Sequence, residues 1–238
     1  MEPESLLPVV PNGISLRSGA FTLERVLADG SWHISGQGTQ ALAHIAQALH
    51  DADIGCVRAQ WRGELLTVFN EAQQQVATVE RGVARLLGLT TRAVHLLGYT
   101  ADGSVWVQQR ALGKAIDPGL WDTLVGGMVS ASDNLTTALQ RETREEAGLE
   151  LLQVRRLHAG GRLRVSRPNA RDKGAGYVVE QIDWFVGLIP DGITPANQDG
   201  EVAQFALLNR VQLAAQLQAN AFTLDAALII STDLARRR

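Results

Sequence analysis

Apolar and polar positions recur along this chain with two periods, and together they mark out its elements. FTLERV and SWHISG alternate with a period of two on either side of Ala28-Asp29-Gly30, the pattern of two strands joined by a tight turn. Residues 39–50, TQALAHIAQALH, change to helical spacing, and Gly55 follows as a stop. VRAQW and ELLTVFN read as strands with Arg62-Gly63 at their turn, and residues 75–88 read as a helix ending near Gly88. From Thr90 onward strand patterns dominate. AVHLLGYT and SVWVQQR pair around Ala101-Asp102-Gly103-Ser104, and the loop ALGKAIDPGLWD leads to TLVGGMV. A helix is predicted over 134–147, capped by Asp133 or Asn134 and ended by Gly148. VRRLHAG, YVVEQIDWFVGL and VAQFALL supply three more strands, and residues 210–235 are mostly helical. Residues 1 to about 20 are broken by Pro and Gly and read as irregular, while SRPNARDKGAG reads as a mobile loop and DGITPANQDGE as another loop. The patterns predict a small α/β domain over 1–89 and a larger one over 90–238.

Composition adds exclusions. With 238 residues and 45% hydrophobic content, a proper core can be buried. A formal net charge of -3 gives no footprint for nucleic acid or a membrane surface, and Arg236-Arg237-Arg238 reads as a solvated helix end. The single cysteine, Cys56, excludes an internal disulfide framework and reads as a buried, inert thiol in a reducing compartment. No apolar run is long enough to span a bilayer, and MEPESLLPVVPNG carries acids where a signal peptide carries bases. A soluble, cytoplasmic protein is expected. His95 and His158 lie in apolar strand patterns without ligand spacing and read as structural. Trp121, Trp184 and Tyr177 could stack on a substrate ring, but aromatics beside strands are more often packing residues.

The chemistry concentrates in RETREEAG. On the predicted helix the apolar stripe Leu135, Ala138, Leu139 continues at 142 and 146, which hold Glu142 and Glu146, with Glu145 beside them. Carboxylates on a core-facing stripe repel one another and resist desolvation, costs that a divalent cation would relieve. Oxygen ligands suit Mg²⁺ or Mn²⁺. The charge pattern also fits an ordinary surface helix with an Arg141–Glu145 ion pair and Arg144 nearby, and by itself leaves both readings open.

Spacing carries the argument further. Gly127 is followed after five residues by Asp133, and after seven more by Arg141-Glu142-Thr143-Arg144-Glu145-Glu146-Ala147-Gly148-Leu149. This segment resembles the Nudix box over 23 positions. It departs at Asp133, where Glu is usual, at Thr143, where an aliphatic residue is usual, and at Ser132, where glycine is frequent. The resemblance implies an α/β/α sandwich with a mixed sheet and metal-dependent hydrolysis of a diphosphate linked to a further group. It implies that Glu145, Glu146 and the Gly127 carbonyl bind Mg²⁺ (or Mn²⁺). Glu142 would be a ligand or would activate the attacking water, Arg141 would hold the glutamates, and Asp133 would brace the arginine. A further acid from a late loop is common in the family, and of Asp199 and Glu201 the latter directly precedes a strand.

Outside the box, WVQQRALGKAIDPGLWDTLVGGMVSASD is similar to a Nudix subgroup related to the domain fused to thiamine pyrophosphokinases, through Arg110, Lys114, Pro118-Gly119 and Asp122. WRGELLTVF and VERGVARLLGL look like that subgroup's extra N-terminal domain, and PANQDGEVAQFALL and ANAFTLDAALIISTDLARR like its C-terminal part. That resemblance implies thiamine diphosphate or an oxidised relative as substrate, with Arg110, Lys114 and Asp122 at the substrate. ADP-ribose, coenzyme A or another nucleoside diphosphate derivative is the alternative. A non-catalytic ligand-binding module is a third reading, although such domains have lost box glutamates and this chain keeps all three. A small-molecule diphosphate is the expected partner, with no nucleic acid or membrane, and monomer and homodimer stay open.

Overall fold

The computed structural model describes residues 16–18, 21–25, 32–52, 55–114, 116–168 and 177–237. They fall into two compact units. One gathers the described residues up to Thr91 with Ser130–Ser132 and Val165–Glu180, and the other holds Arg92–Val129, Asp133–Arg164 and the described residues from Gln181 onward.

In the first unit, β1 (Leu16–Ser18), β2 (Phe21–Arg25) and β3 (Trp32–Gly36) form an antiparallel sheet. The predicted pair is therefore present as β2 and β3, while the turn at Ala28-Asp29-Gly30 lies outside the described residues. So do residues 1–15; Leu16–Ser18, within the stretch read as irregular, is a strand. Helix α1 (Gly38–Asp51) buries Ala41, Leu42, Ile45, Ala46 and Leu49, the stripe its spacing predicts. VRAQW was expected to be a strand, but α2 (Gly55–Gln60) takes its first four residues. That segment has one β-branched residue, Val57, beside Arg, Ala and Gln, which favour helix. The side chain of Cys56 lies outside the described residues. A second correction follows: residues 75–80 are not helical. They form β5 (Gln75–Glu80), antiparallel to β4 (Leu65–Phe69), before the short α3 (Arg81–Ala84). Period two decides it, because Ala77 and Val79 are buried while Val76 is exposed. Buried Glu80 secures the Arg62-Gly63 turn by accepting both amides, at 2.9 and 3.2 Å.

The large sheet is built from β6 (Thr90–Tyr99), β7 (Val105–Arg110), β8 (Trp121–Asp122), β9 (Val125–Met128), β10 (Arg155–Pro168), β11 (Tyr177–Leu188) and β12 (Val202–Leu208). Its order is β10-β11-β6-β7-β12, with β9 beside β6 and β8 beside β7. Helix α4 (Leu135–Ala147) lies between β9 and β10, and α5 (Arg210–Gln218) and α6 (Leu224–Arg236) follow β12. Within the second unit, alternation on β6 shows the layering. Val94 and Leu96 join a core with Ala138 and Leu139 of α4. Tyr99, on the opposite parity, donates its hydroxyl to Asp233 of α6 at 2.6 Å. Helices thus cover both faces, and the expected α/β class holds.

His95 and Trp184 are buried as expected of packing residues, whereas His158 is exposed on β10, so its strand is not apolar there. Residues 169–176 of the expected mobile loop lie outside the described residues, and Ser166–Pro168 continue β10.

Candidate active site

Helix α4 starts with a reciprocal cap. The Asn134 side chain accepts from the amides of Thr136 and Thr137 at 2.9 and 3.0 Å, and the Thr137 hydroxyl accepts from the Asn134 amide at 2.9 Å. Asn134 therefore caps the helix, and Asp133 is free of that task. Gly148 ends it with φ 64°, the left-handed geometry glycine tolerates best. Along the inner face, Ala138, Leu139, Thr143, Glu146 and Ala147 are buried. Thr143 fits there because its hydroxyl donates to the Leu139 carbonyl, 2.6 Å away.

The three glutamates do not share one fate. Side-chain exposure is 2% for Glu146, 12% for Glu142 and 49% for Glu145. The first two continue the core-facing stripe as expected. Glu145 stands at the rim, since three residues on from Glu142 is about 60° round the helix.

Strand β9 meets the inner pair with two glycines. A Cβ on Gly127 would lie 1.9 Å from the Glu142 carboxyl carbon, so glycine alone fits beneath it. Gly126 turns the other way, and a Cβ there would lie 2.6 Å from the ring of His95, its partner across the ladder. The Gly126 amide donates to Glu146 Oε2 at 2.9 Å, and Gln108 Nε2 donates to the same oxygen at 2.8 Å. Lys114 Nζ lies 3.8 Å from Glu146 Oε1. Burial, then the negative charge of Glu142, push the Glu146 carboxyl up to about 8, with Gly126, Lys114 and Gln108 pulling the other way.

Arg141 gathers the acids. Its Nε donates to Asp133 at 3.0 Å, its Nη1 to Glu142 at 2.8 Å and Glu145 at 3.2 Å, and its Nη2 to the Met128 carbonyl at 3.0 Å. The shorter side chain of Asp133 still reaches. At the end of β7, Arg110 donates to the Ile116 carbonyl at 3.1 Å and to buried Asp122 at 3.3 Å. Asp122 also accepts from the Thr123 amide at 2.8 Å. Lys114 pairs with Glu201, whose backbone carbonyl accepts from the Ala111 amide at 2.9 Å. Asp199 accepts from the Glu201 amide at 2.8 Å, a turn contact.

The NUDIX domain family matches residues 89–228. The chain belongs to the Nudix family. It is 30% identical over 205 residues to Nudix hydrolase 24, chloroplastic, of Arabidopsis thaliana, covering 82% of this chain and 53% of that protein. It is 35% identical over 92 residues to an uncharacterised Nudix hydrolase of Pseudomonas aeruginosa, covering 39% of this chain and 54% of that one. The chain thus spans about half the length of the curated relatives it matches. A crystal structure of a Deinococcus radiodurans protein superimposes with a TM-score of 0.53 at 20% identity, covering 71% of this chain and 99% of that chain, a likeness of fold.

Within the Nudix box and its surroundings, the structure brings together Gly127, Asp133, Arg141, Glu142 and Glu145 in one group, and Lys114, Glu146 and Glu201 in another, with the Glu142 charge felt at Glu146. Arg110 and Asp122 are engaged with each other. Among the described residues, no three His, Cys, Asp or Glu side chains converge closely enough to hold a metal ion. Glu142 and Glu145 are turned toward Arg141, Glu146 toward Gln108 and the Gly126 amide, and Glu201 toward Lys114. Sequence reading missed Gln108 and Thr123, which line this part of the sheet beside His95, read as structural. His95 Nδ1 lies 2.8 Å from the Thr123 hydroxyl, which donates to the Val125 carbonyl. Gln108 is 1% exposed, and its Oε1 lacks a hydrogen-bond partner. It carried a signal: a polar residue at the inward parity of an apolar strand.

Proposed function

We propose that the chain is a divalent-cation-dependent hydrolase that cleaves a diphosphate linkage in a small molecule. The observation that carries this reading is the placing of half-buried Glu142 and buried Glu146 on the inner face of α4, against Gly127 and the Gly126 amide of β9. Burial and the charge of Glu142 oppose ionisation of Glu146 there, and that cost falls when a cation joins them. The donors are carboxylate and carbonyl oxygens, which fit Mg²⁺ or Mn²⁺, and the ammonium of Lys114 beside Glu146 marks a place suited to positive charge. Glu142, Glu145, Glu146, Glu201 and the Gly127 carbonyl would hold the ion. When bound, it would lower the pKa of water and neutralise charge on the breaking P–O bond. Glu142 is the carboxylate we assign to take a proton from the attacking water. Arg141 keeps Glu142 and Glu145 oriented, braced in turn by Asp133. Lys114 and Arg110 would meet substrate phosphate, with Asp122 fixing Arg110.

On substrate, thiamine diphosphate or an oxidised relative is our candidate, resting on the resemblance carried by Arg110, Lys114, Pro118-Gly119 and Asp122. ADP-ribose and coenzyme A are its competitors. Residues 1–89 would form the accessory domain and 90–238 the hydrolase. The test is a hydrolysis panel of these compounds and a nucleoside triphosphate with Mg²⁺ or Mn²⁺, run beside Glu146→Gln. We expect metal-dependent turnover of one compound, reduced at least about a hundredfold in the variant. The thermal midpoint should hold, because glutamine keeps an oxygen to accept from the Gly126 amide and Gln108. Equal turnover by Glu146→Gln would overturn the reading.

A further inference from the structure

Lys114 has an unusual position. The loop that carries it is fixed by backbone bonds: Lys114 N to the Ala111 carbonyl at 3.0 Å, Gly119 N to the Arg110 carbonyl at 3.0 Å, and Ala111 N to the Glu201 carbonyl at 2.9 Å. From this base the side chain, 18% exposed, extends its ammonium to Glu201 and to within 3.8 Å of buried Glu146. The two donors bonded to Glu146, the Gly126 amide and Gln108, are neutral. Arg141 serves the other carboxylates, through three contacts at 2.8 to 3.2 Å to Asp133, Glu142 and Glu145.

The choice of lysine matters. Of the chain's 22 basic residues, 20 are arginine, and lysine stands only at 114 and 173. A guanidinium makes planar, multidentate bonds that hold a carboxylate in place, as Arg141 does. An ammonium is a compact point charge on a flexible stem, held at Glu146 by distance alone and easily exchanged. A divalent cation on Glu146 would stand within a few ångströms of that ammonium. Like charges so close in a poorly solvated place repel strongly.

We propose that Lys114 is an exchangeable internal counter-cation: it occupies the cation place beside Glu146 and Glu201 until a divalent cation takes these carboxylates, and the displaced ammonium then becomes available to an anionic phosphate. This inference rests on the metal-dependent reading above. Exchange makes the two cations competitors, so the coupling is reciprocal. Metal moves Lys114, and removing the lysine charge tightens metal.

The experiment measures Mn²⁺ binding to the full chain by electron paramagnetic resonance, without substrate. Lys114→Gln should bind Mn²⁺ at least about fivefold more tightly than the parent chain, and Lys114→Arg should not. A second readout needs no variant in the measured sample. Reductive ¹³C-dimethylation keeps the lysine charge, and with two lysines the spectrum is simple. The Lys114 signal, assigned by its absence in Lys114→Gln or by peptide mapping, should shift as Mg²⁺ is added and saturate with occupancy. Mn²⁺ binding to the parent chain with unchanged or weaker affinity in Lys114→Gln, or a stationary Lys114 signal as Mg²⁺ binds, overturns the exchange and leaves the metal reading standing. Absence of Mn²⁺ binding to parent and variants alike overturns both.

Discussion

A single methyl group at Gly127 would lie 1.9 Å from the Glu142 carboxyl carbon, far inside van der Waals contact, and the atom it meets belongs to the candidate site. Gly127→Ala should therefore push Glu142 away from β9. We expect about 1–3 kcal/mol of lost stability from overpacking. Turnover should fall further than that, by on the order of 10- to 100-fold, because a site carboxylate is moved. Chemical denaturation and kcat/KM on the same preparation separate the two effects. Equal turnover in Gly127→Ala would mean that Glu142 has no part in the chemistry. The spacing of Gly127 from the glutamates was legible in the sequence. The reason for it was not, because the close approach depends on which residue of α4 overlies which residue of β9.

At the scale of an element, α4 separates two tasks between neighbours. Asn134 caps the helix and Asp133 holds Arg141. Asn134→Ala should cost about 1 kcal/mol in urea denaturation with little change in turnover under folded conditions. Asp133→Ala should reverse that order, with a small loss of stability and a larger loss of kcat, since Arg141 would lose a partner. Identical profiles for the two would contradict the division. The sequence left both residues as possible caps, since either side chain accepts amides equally well and only the φ/ψ path into the helix chooses between them. The same limit explains β5. Gln75–Glu80 holds enough helix-compatible residues to read as a helix, and what makes it a strand is antiparallel pairing with Leu65–Phe69, from Phe69 opposite Gln75 at the turn to Leu65 opposite Glu80. The β6, β7, β11 and β12 patterns were read correctly because apolar β-branched and aromatic runs there are bounded by turn residues. His95 and Gln108 stayed hidden as site neighbours because their roles come from cross-strand register.

On the scale of the whole second unit, the last helix buries Ile229 and Ile230 and is held to the sheet by a polar contact. Tyr99 donates to Asp233, Arg237 pairs with the same carboxylate, and the Arg237 guanidinium lies 4.0 Å from the centroid of the Tyr99 ring. Burial, then the bond to Asp233, raise the Tyr99 pKa, so the phenol stays a donor through the physiological range. Tyr99→Phe would leave a 6% exposed carboxylate without that donor and should cost about 1–3 kcal/mol, read as a lower thermal midpoint. The contact lies on the sheet face opposite Glu142, so kcat should hold. A loss of turnover without a loss of stability would place Asp233 in the mechanism.

That opposition of faces bears on β9 as well. At Gly126 and Gly127 the strand presents no side chain to either side, so one peptide layer separates the His95 imidazole from the Glu142 carboxylate. Here the sheet works less as a wall than as a thin diaphragm. A side chain added at Gly126 would press on the imidazole, and one added at Gly127 on the carboxylate, so each of these neighbouring positions answers to one side alone.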